Sequence, residues 1–282
     1  MPTPHRPLRV TTRNATFQRW QSLLGNRTAR HRAGEFLVHG VRPISQALAH
    51  GWQVRALLRP LGARPSTWAE QAWADAGGER YEVAPPLLAE LAQREDEGTE
   101  LLAVVRMPPD DLERLHRPGT VPLVTVFDRP GQPGNIGTLQ RSVDAFGGTG
   151  LVITGHAADP YDPKAVRAST GSCFAVPTVR VPSARTVLDW VAAQRAQGIP
   201  LQIWGTDEGA ETDLGRVPWA APTVLVVGNE TRGMAQAWRE ACDGVLSIPM
   251  AGSASSLNAA VAASIVLHAA MRARLSGPPP AG

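Results

Sequence analysis

The chain has 282 residues, 43% of them hydrophobic and 19% charged, and its 28 basic and 25 acidic side chains leave a net charge of +3. That is the balance of a folded globular protein with room for two domains, and two widely separated cysteines, Cys173 and Cys242, exclude a disulfide framework. Charges or Gly/Pro interrupt every apolar stretch before the ~20 residues of a membrane span. Met1 to Pro7 has no apolar core behind it, so a secretory signal is not expected and a reduced, cytoplasmic setting is.

Charge is unevenly spread. Residues 1–42 carry eight arginines against the single acid Glu35, whereas 43–117 carry eight bases and twelve acids. A basic end fits a phosphate-rich partner such as nucleic acid, or a solvated charged face. Arginine is this chain's default base, since Lys164 is its one lysine, so its use alone says little.

In chain order, Phe17, Trp20, Leu23 and Leu24 give helical spacing over Arg13–Leu24. Gly34 to Gly40 reads as a short strand. Pro43–His50 is a helix with proline in its first turn and Gly51 behind it. Val54–Leu58 is a strand, Pro65–Ala76 a helix ended by Gly77-Gly78, and Leu101–Val105 a strand. These elements make a small α/β domain over 1–110, and the Pro-containing stretch 107–118 is the boundary.

The second domain, 118–276, starts with a strand over Val121–Phe127, whose Pro122 belongs at its first residues or on an edge. Further along come a helix Ile136–Phe146, a strand Leu151–Thr154 and a helix or turn at Lys164–Ser169. A helix Thr186–Gln197 precedes strands at Ile199–Trp204, Thr223–Val227 and Val245–Ile248. A last helix, Leu257–Leu275, is apolar on more than one face and is expected to be buried. Residues 277–282 cannot continue it and are expected to form a disordered tail.

No P-loop, G-x-G-x-x-G after an opening strand, G-x-S-x-G elbow or metal-ligand spacing is present. A metal is therefore not expected. Three segments instead place small and polar residues just after strand-like runs: Asn135–Arg141, Leu225–Gly233 and Ile248–Asn258. Ligands bind beyond the carboxyl ends of strands in open α/β sheets, so three such loops suggest one composite site.

These segments resemble the three motifs of the SpoU (TrmH-type) RNA 2′-O-methyltransferases of the SPOUT class. Asn135-x-Gly-x-x-x-Arg141 with Asp144-Ala-Phe-Gly147 matches the first, Gly228-Asn-Glu230 with Gly233 the second, and Ile248-Pro-Met-x-Gly-x-x-x-Ser-Leu-Asn258 the third. Asp162 to Pro177 is similar to the segment the family carries between the first two. The resemblance is firm over roughly 120–275 and loose before that; three motifs in order are specific where one is weak. Gly34–Val38, His156-Ala-Ala-Asp159 and the full third motif look nearest to the avilamycin-resistance type of 23S rRNA uridine 2′-O-methyltransferase.

Periodicity alone suggests a Rossmann-like sheet. The resemblance implies instead a C-terminal methyltransferase domain with a deep trefoil knot, behind an L30e-like RNA-binding domain. It also implies S-adenosylmethionine as cofactor, held at Gly228, Ile248 and Leu257, RNA as substrate (23S rRNA favoured over tRNA), and a homodimer. Arg141 is the residue expected to be catalytic: the family's arginine at this place is often proposed as a base, but a pKa above about 12 keeps it protonated at neutral pH, which suits electrostatic stabilisation better. Asn135, Glu230, Ser256 and Asn258 are expected around it, Glu230 pairing with Arg141 or a neighbour. Asn135 and Ser256 are alternatively helix caps. Arg30, Arg32 and Arg42 bracket the Gly34–Gly40 strand and are candidate RNA contacts, as is Arg167; each is otherwise a solvated charge. An RNA-binding protein with an inert methyltransferase site is the competing reading.

Overall fold

The computed structural model describes residues 6–93 and 98–276; the tail expected at 277–282 lies outside the described residues. The chain forms two compact units. The first opens with strand β1 (Leu8–Val10) and helix α1 (Ala15–Gly25), whose N-cap Asn14 accepts from Phe17 N and whose Phe17, Trp20 and Leu23 are buried at helical spacing. Helix α2 (Arg27–Ala33) has no apolar stripe, so periodicity does not announce it. Asn26 caps its start and Gly34, at φ +63°, ends it. Then come β2 (Glu35–His39), α3 (Val41–Ala49), β3 (Val54–Pro60), α4 (Thr67–Asp75), β4 (Glu79–Val83), α5 (Pro85–Ala92) and β5 (Leu102–Arg106). The sheet runs β1-β4-β3-β5-β2, with β5 antiparallel to both neighbours.

The second unit starts at Pro109. Its first elements are β6 (Leu123–Asp128), α6 (Pro133–Ala145) and β7 (Gly150–Thr154). Pro122 stands just ahead of β6, which is an interior strand, so of the two places open to that proline the chain uses the strand's start. Helices α7 (Pro163–Ser169) and α8 (Ser172–Ala175) belong by packing to the first unit, although the sequence places them inside the second domain. Tyr161, Val166, Cys173 and Phe174 complete the hydrophobic cluster around Phe36, Val38 and Leu57, and Trp52 Nε1 donates to the Phe174 carbonyl at 3.0 Å.

Returning to the second unit, β8 (Thr178–Val181), α9 (Ala184–Ala196), β9 (Gln202–Thr206), β10 (Thr212–Asp213), β11 (Thr223–Val227), α10 (Gln236–Ala241), β12 (Gly244–Ser247) and α11 (Ala259–Ser276) complete the chain. The sheet order is β10-β12-β9-β11-β6-β7-β8, all parallel. Its interior strands are nearly continuous apolar runs, as a sheet covered on both faces requires. One face carries α6 and α11 over Phe127, Leu151 and Leu225; the other carries Trp238 of α10 and Val187 and Val191 of α9.

Helix α11 departs from expectation. Ala260, Ala263, Val266, Leu267 and Ala270 are buried, but Val261, Ile265 and Leu275 are exposed. The helix is apolar on more than one face, yet within its unit only one face meets the core. No described helix is long and apolar enough to cross a membrane.

Candidate active site

Beyond the carboxyl ends of β9, β11 and β12 lies a cleft of about 470 Å³, within the size range of small-molecule sites. Its walls include Thr206, Asp207 and Glu208 from the end of β9, the loop Gly228–Gly233 after β11, and Ile248, Met250, Ser256 and Leu257 after β12. Gly228, Ile248 and Leu257, far apart in sequence, meet here as expected, together with Glu230 and Ser256. Arg239 closes the rim by pairing with Asp207 at 2.8 Å.

Side chains from all three loops are joined by hydrogen bonds. Asn258 Nδ2 donates to Asn135 Oδ1 at 3.2 Å, and Asn135 Nδ2 donates to Glu230 Oε1 at 2.9 Å. Glu230 Oε2 accepts from Gly131 N and Asn229 Nδ2, each at 3.4 Å. Of its two foreseen partners, the carboxylate takes the neighbours and not Arg141.

Arg141 is exposed on α6, six residues and roughly 9 Å of helix beyond Asn135. It makes no hydrogen bond or ion pair among the described residues and does not line the cleft. Its exposed, unpaired guanidinium is available to an external anion.

The caps fall differently from expectation. Helix α6 starts at Pro133 after Gln132, so Asn135 lies inside the first turn and its amide is free for Glu230 and Asn258. Helix α11 starts at Ala259, and Asn258 caps it: Oδ1 accepts from Ala260 N at 3.0 Å and Val261 N at 3.3 Å. Ser256 is two residues too early to cap and faces the cleft. Asn258 thus uses its oxygen for the helix and its nitrogen for the network.

Gly228 is required for an internal reason. A Cβ there would stand 2.5 Å from Gly233 C and Met234 N, so the loop folds back against its own first residue. The turn itself is built by Asn229, which sequence reasoning passed over. Its Oδ1 accepts from Thr231 N and Arg232 N at 3.0 Å each, and its backbone bridges Gly233 in both directions at 3.0 Å. Asn after glycine is a recognised turn signal and could have flagged it. Asp207, Glu208, Arg232 and Arg239 were also passed over, because no motif marks them. They bring both charge signs to the cleft, suiting a zwitterionic ligand.

In the first unit, the four candidate RNA contacts separate. Arg30 is 2% exposed: it donates to the Leu23 and Leu24 carbonyls at 2.8 and 3.2 Å and pairs with Asp162 at 3.4 Å. It closes α1 onto α2 and is not available to RNA. Its helix lacks apolar residues at that face, so a paired arginine fills the interior position. Arg32 and Arg42 are exposed, as is Arg167, which donates to Gln93 Oε1 at 2.8 Å.

The parallel sheet, the three-loop cleft and the small preceding α/β unit define a class. The SpoU rRNA Methylase family model matches residues 122–268, the SpoU L30e-like domain model matches 14–103, and the chain belongs to this family. Its fold is accordingly the SpoU/SPOUT methyltransferase fold with an N-terminal L30e-like domain.

Among individual proteins, the chain is 54% identical over 269 residues to a 23S rRNA (uridine(2479)-2′-O)-methyltransferase of Streptomyces viridochromogenes, spanning 95% of this chain and 93% of that one. The crystal structure of the SpoU methyltransferase AviRb from the same organism, in complex with the cofactor AdoMet, superposes with a TM-score of 0.89 at 53% identity, over 94% of this chain and 100% of that one. An AdoMet-bound rRNA methyltransferase from Sinorhizobium meliloti gives 0.81 at 28% identity, over 94% and 97%.

Proposed function

We propose that the chain is an S-adenosylmethionine-dependent RNA 2′-O-ribose methyltransferase acting on a uridine of 23S rRNA. The observation that carries this reading is the line Asn258–Asn135–Glu230, which joins all three motif loops beside a cleft walled by Gly228, Ile248 and Leu257. The Streptomyces relative supports the target class.

The cleft fits S-adenosylmethionine. Its volume is adequate, Ile248, Met250 and Leu257 offer apolar contact, Asp207, Glu208 and Glu230 suit ammonium and sulfonium charge, and Arg232 suits a carboxylate. When bound, the cofactor supplies a methyl group on a positively charged sulfur, which is already a good leaving group.

The protein's own task is alignment and charge. Asn135, Glu230, Ser256 and Asn258 form the polar rim that orients a ribose, and alignment of this kind contributes roughly 7–11 kcal/mol in favourable intramolecular cases. Arg141 stabilises negative charge developing on the 2′-oxygen and can grip the adjacent phosphate. Arginine keeps its proton at pH 7, so the hydroxyl proton leaves to solvent or to a phosphate. Arg32, Arg42 and Arg167 are proposed as phosphate contacts of the first unit.

The same reading carries a trefoil knot, supported by β11 entering between β9 and β6 after the chain has built the flanks. It carries a homodimer, supported by Leu257, Val261 and Ile265 exposed beside the cleft, and a cytoplasmic location with the ribosome.

Mapping 2′-O-methylated positions in 23S rRNA from cells with and without the chain tests the proposal. A uridine modified only with the active chain, and lower sensitivity to an orthosomycin such as avilamycin, are expected; Arg141→Ala abolishes both. Modification confined to tRNA overturns the target. Absence of S-adenosylmethionine binding points to an inert RNA-binding protein.

A further inference from the structure

The Gly228–Gly233 loop is not held by its own turn alone. Asp128 ends β6 with its side chain 3% exposed, and Arg129 follows at φ +53°. Two other described non-glycine residues, Gln93 and Thr170, have positive φ, and each ends a helix. Arg129 alone among the described non-glycine residues takes this backbone after a strand. Such an outlier persists only where surrounding contacts impose it, and those contacts are present.

Asp128 Oδ1 accepts from Thr154 Oγ1 at 2.8 Å. Its Oδ2 accepts from Ala235 N at 3.0 Å and from Arg129 Nη2 and Nε at 2.9 and 3.1 Å. Arg129 Nη2 reaches on to the Gly233 carbonyl at 3.3 Å, and the Arg129 carbonyl accepts from Asn229 Nδ2 at 2.7 Å. Opposite, Gly155 leaves room for the arginine: a Cβ there would lie 2.9 Å from Arg129 Cγ. The dipeptide therefore grips the loop at Asn229 where it leaves β11, and at Gly233 and Ala235 where it returns. Neither side chain lines the cleft.

We infer that Asp128 and Arg129 are positioning residues for the methyl-donor cleft, a carboxylate–guanidinium clamp that sets Gly228 and Glu230 without touching ligand. The inference rests on the cleft holding S-adenosylmethionine. The left-handed φ serves to turn the Arg129 guanidinium back onto Asp128 and Gly233 while its carbonyl meets Asn229.

The test separates backbone from side chain by comparing Arg129→Gly, Arg129→Ala and Arg129→Lys with wild type. Calorimetry gives S-adenosylmethionine affinity, steady-state kinetics give KM for cofactor and for RNA, and thermal melting checks folding. Loss of a charged, partly buried hydrogen-bonding group predicts cofactor binding weakened about tenfold or more in both Gly and Ala variants, with KM for RNA unchanged. Lysine, one point charge where two acceptors need a fork, recovers part of the loss. Wild-type affinity in Arg129→Gly overturns the clamp, since glycine supplies the backbone conformation without the guanidinium. Equal loss of cofactor and RNA affinity also overturns it. Failure of the wild-type chain to bind S-adenosylmethionine instead overturns the reading of the cleft, and the inference with it.

Discussion

Two of the loops that wall the cleft are built on opposite principles. Residues 228–235 are pinned at both ends, internally bridged between Asn229 and Gly233, and anchored by Met234 in the core. Residues 249–257 make no hydrogen bond among the described residues, and 251–258 are all exposed; Asn258 alone ties their end to the fold. One wall is finished by the polypeptide itself. The other, small and polar from Gly252 to Ser256 with Met250 and Leu257 at its flanks, has no such internal partners among the described residues.

The largest effect expected from this contrast is on chemistry. Arg141 belongs to neither wall, so Arg141→Ala lowers kcat by about 10²–10³-fold, as loss of a charge-stabilising donor does, with cofactor affinity within about twofold of wild type. A parallel loss of cofactor affinity, measured calorimetrically, would place Arg141 in the cleft wall.

Next comes the pinned wall. A Cβ at residue 228 meets backbone at 2.5 Å, which cannot yield as a side-chain tip does. Gly228→Ala therefore destabilises the fold by about 1–3 kcal/mol, in the manner of overpacked positions, and weakens cofactor binding at least about tenfold. An unchanged melting temperature would mean that this wall is looser than its contacts imply. Asn258→Ala should cost about 1 kcal/mol as a lost helix cap, read by denaturant unfolding, and should loosen the Asn135–Glu230 contact.

The smallest effect is a probe of the pinned wall. Burial, with the neighbouring Asp243, pushes the Cys242 thiol up to about 11, and it packs in the same cluster as Met234. Burial pushes Cys173 up to about 12. Both should resist alkylation at pH 8 in the native state. Because the unfolded thiols ionise near pH 8.5, native stability should fall as pH rises from about 9 towards 11. Rapid labelling of Cys242 at pH 8 would show the pinned wall opening.

The contrast also explains what was legible in the sequence. The third motif could be read because its meaning lies in residue identities, and Ile248, Ser256 and Leu257 do reach the cleft. The support of the second loop could not be read. Asp128 and Arg129 act on residues about a hundred positions away, and no local pattern announces such a contact. Periodicity found α1 and α9 but missed α2 and α10, where one buried Arg30 or Trp238 replaces an apolar stripe. Arg30 misled for the same reason: charge suggested RNA, whereas a short basic helix needed a paired interior side chain. The start of α11 lies two residues later than expected because Asn258, and not Ser256, caps it.

One assay reads the proposed methyl transfer itself. Purified chain, 23S rRNA and methyl-labelled S-adenosylmethionine are incubated, and the RNA is digested to nucleosides for mass spectrometry. Label on the ribose of uridine, lost with Arg141→Ala, is the expected result. Label on a base, or none with wild-type protein, would contradict it.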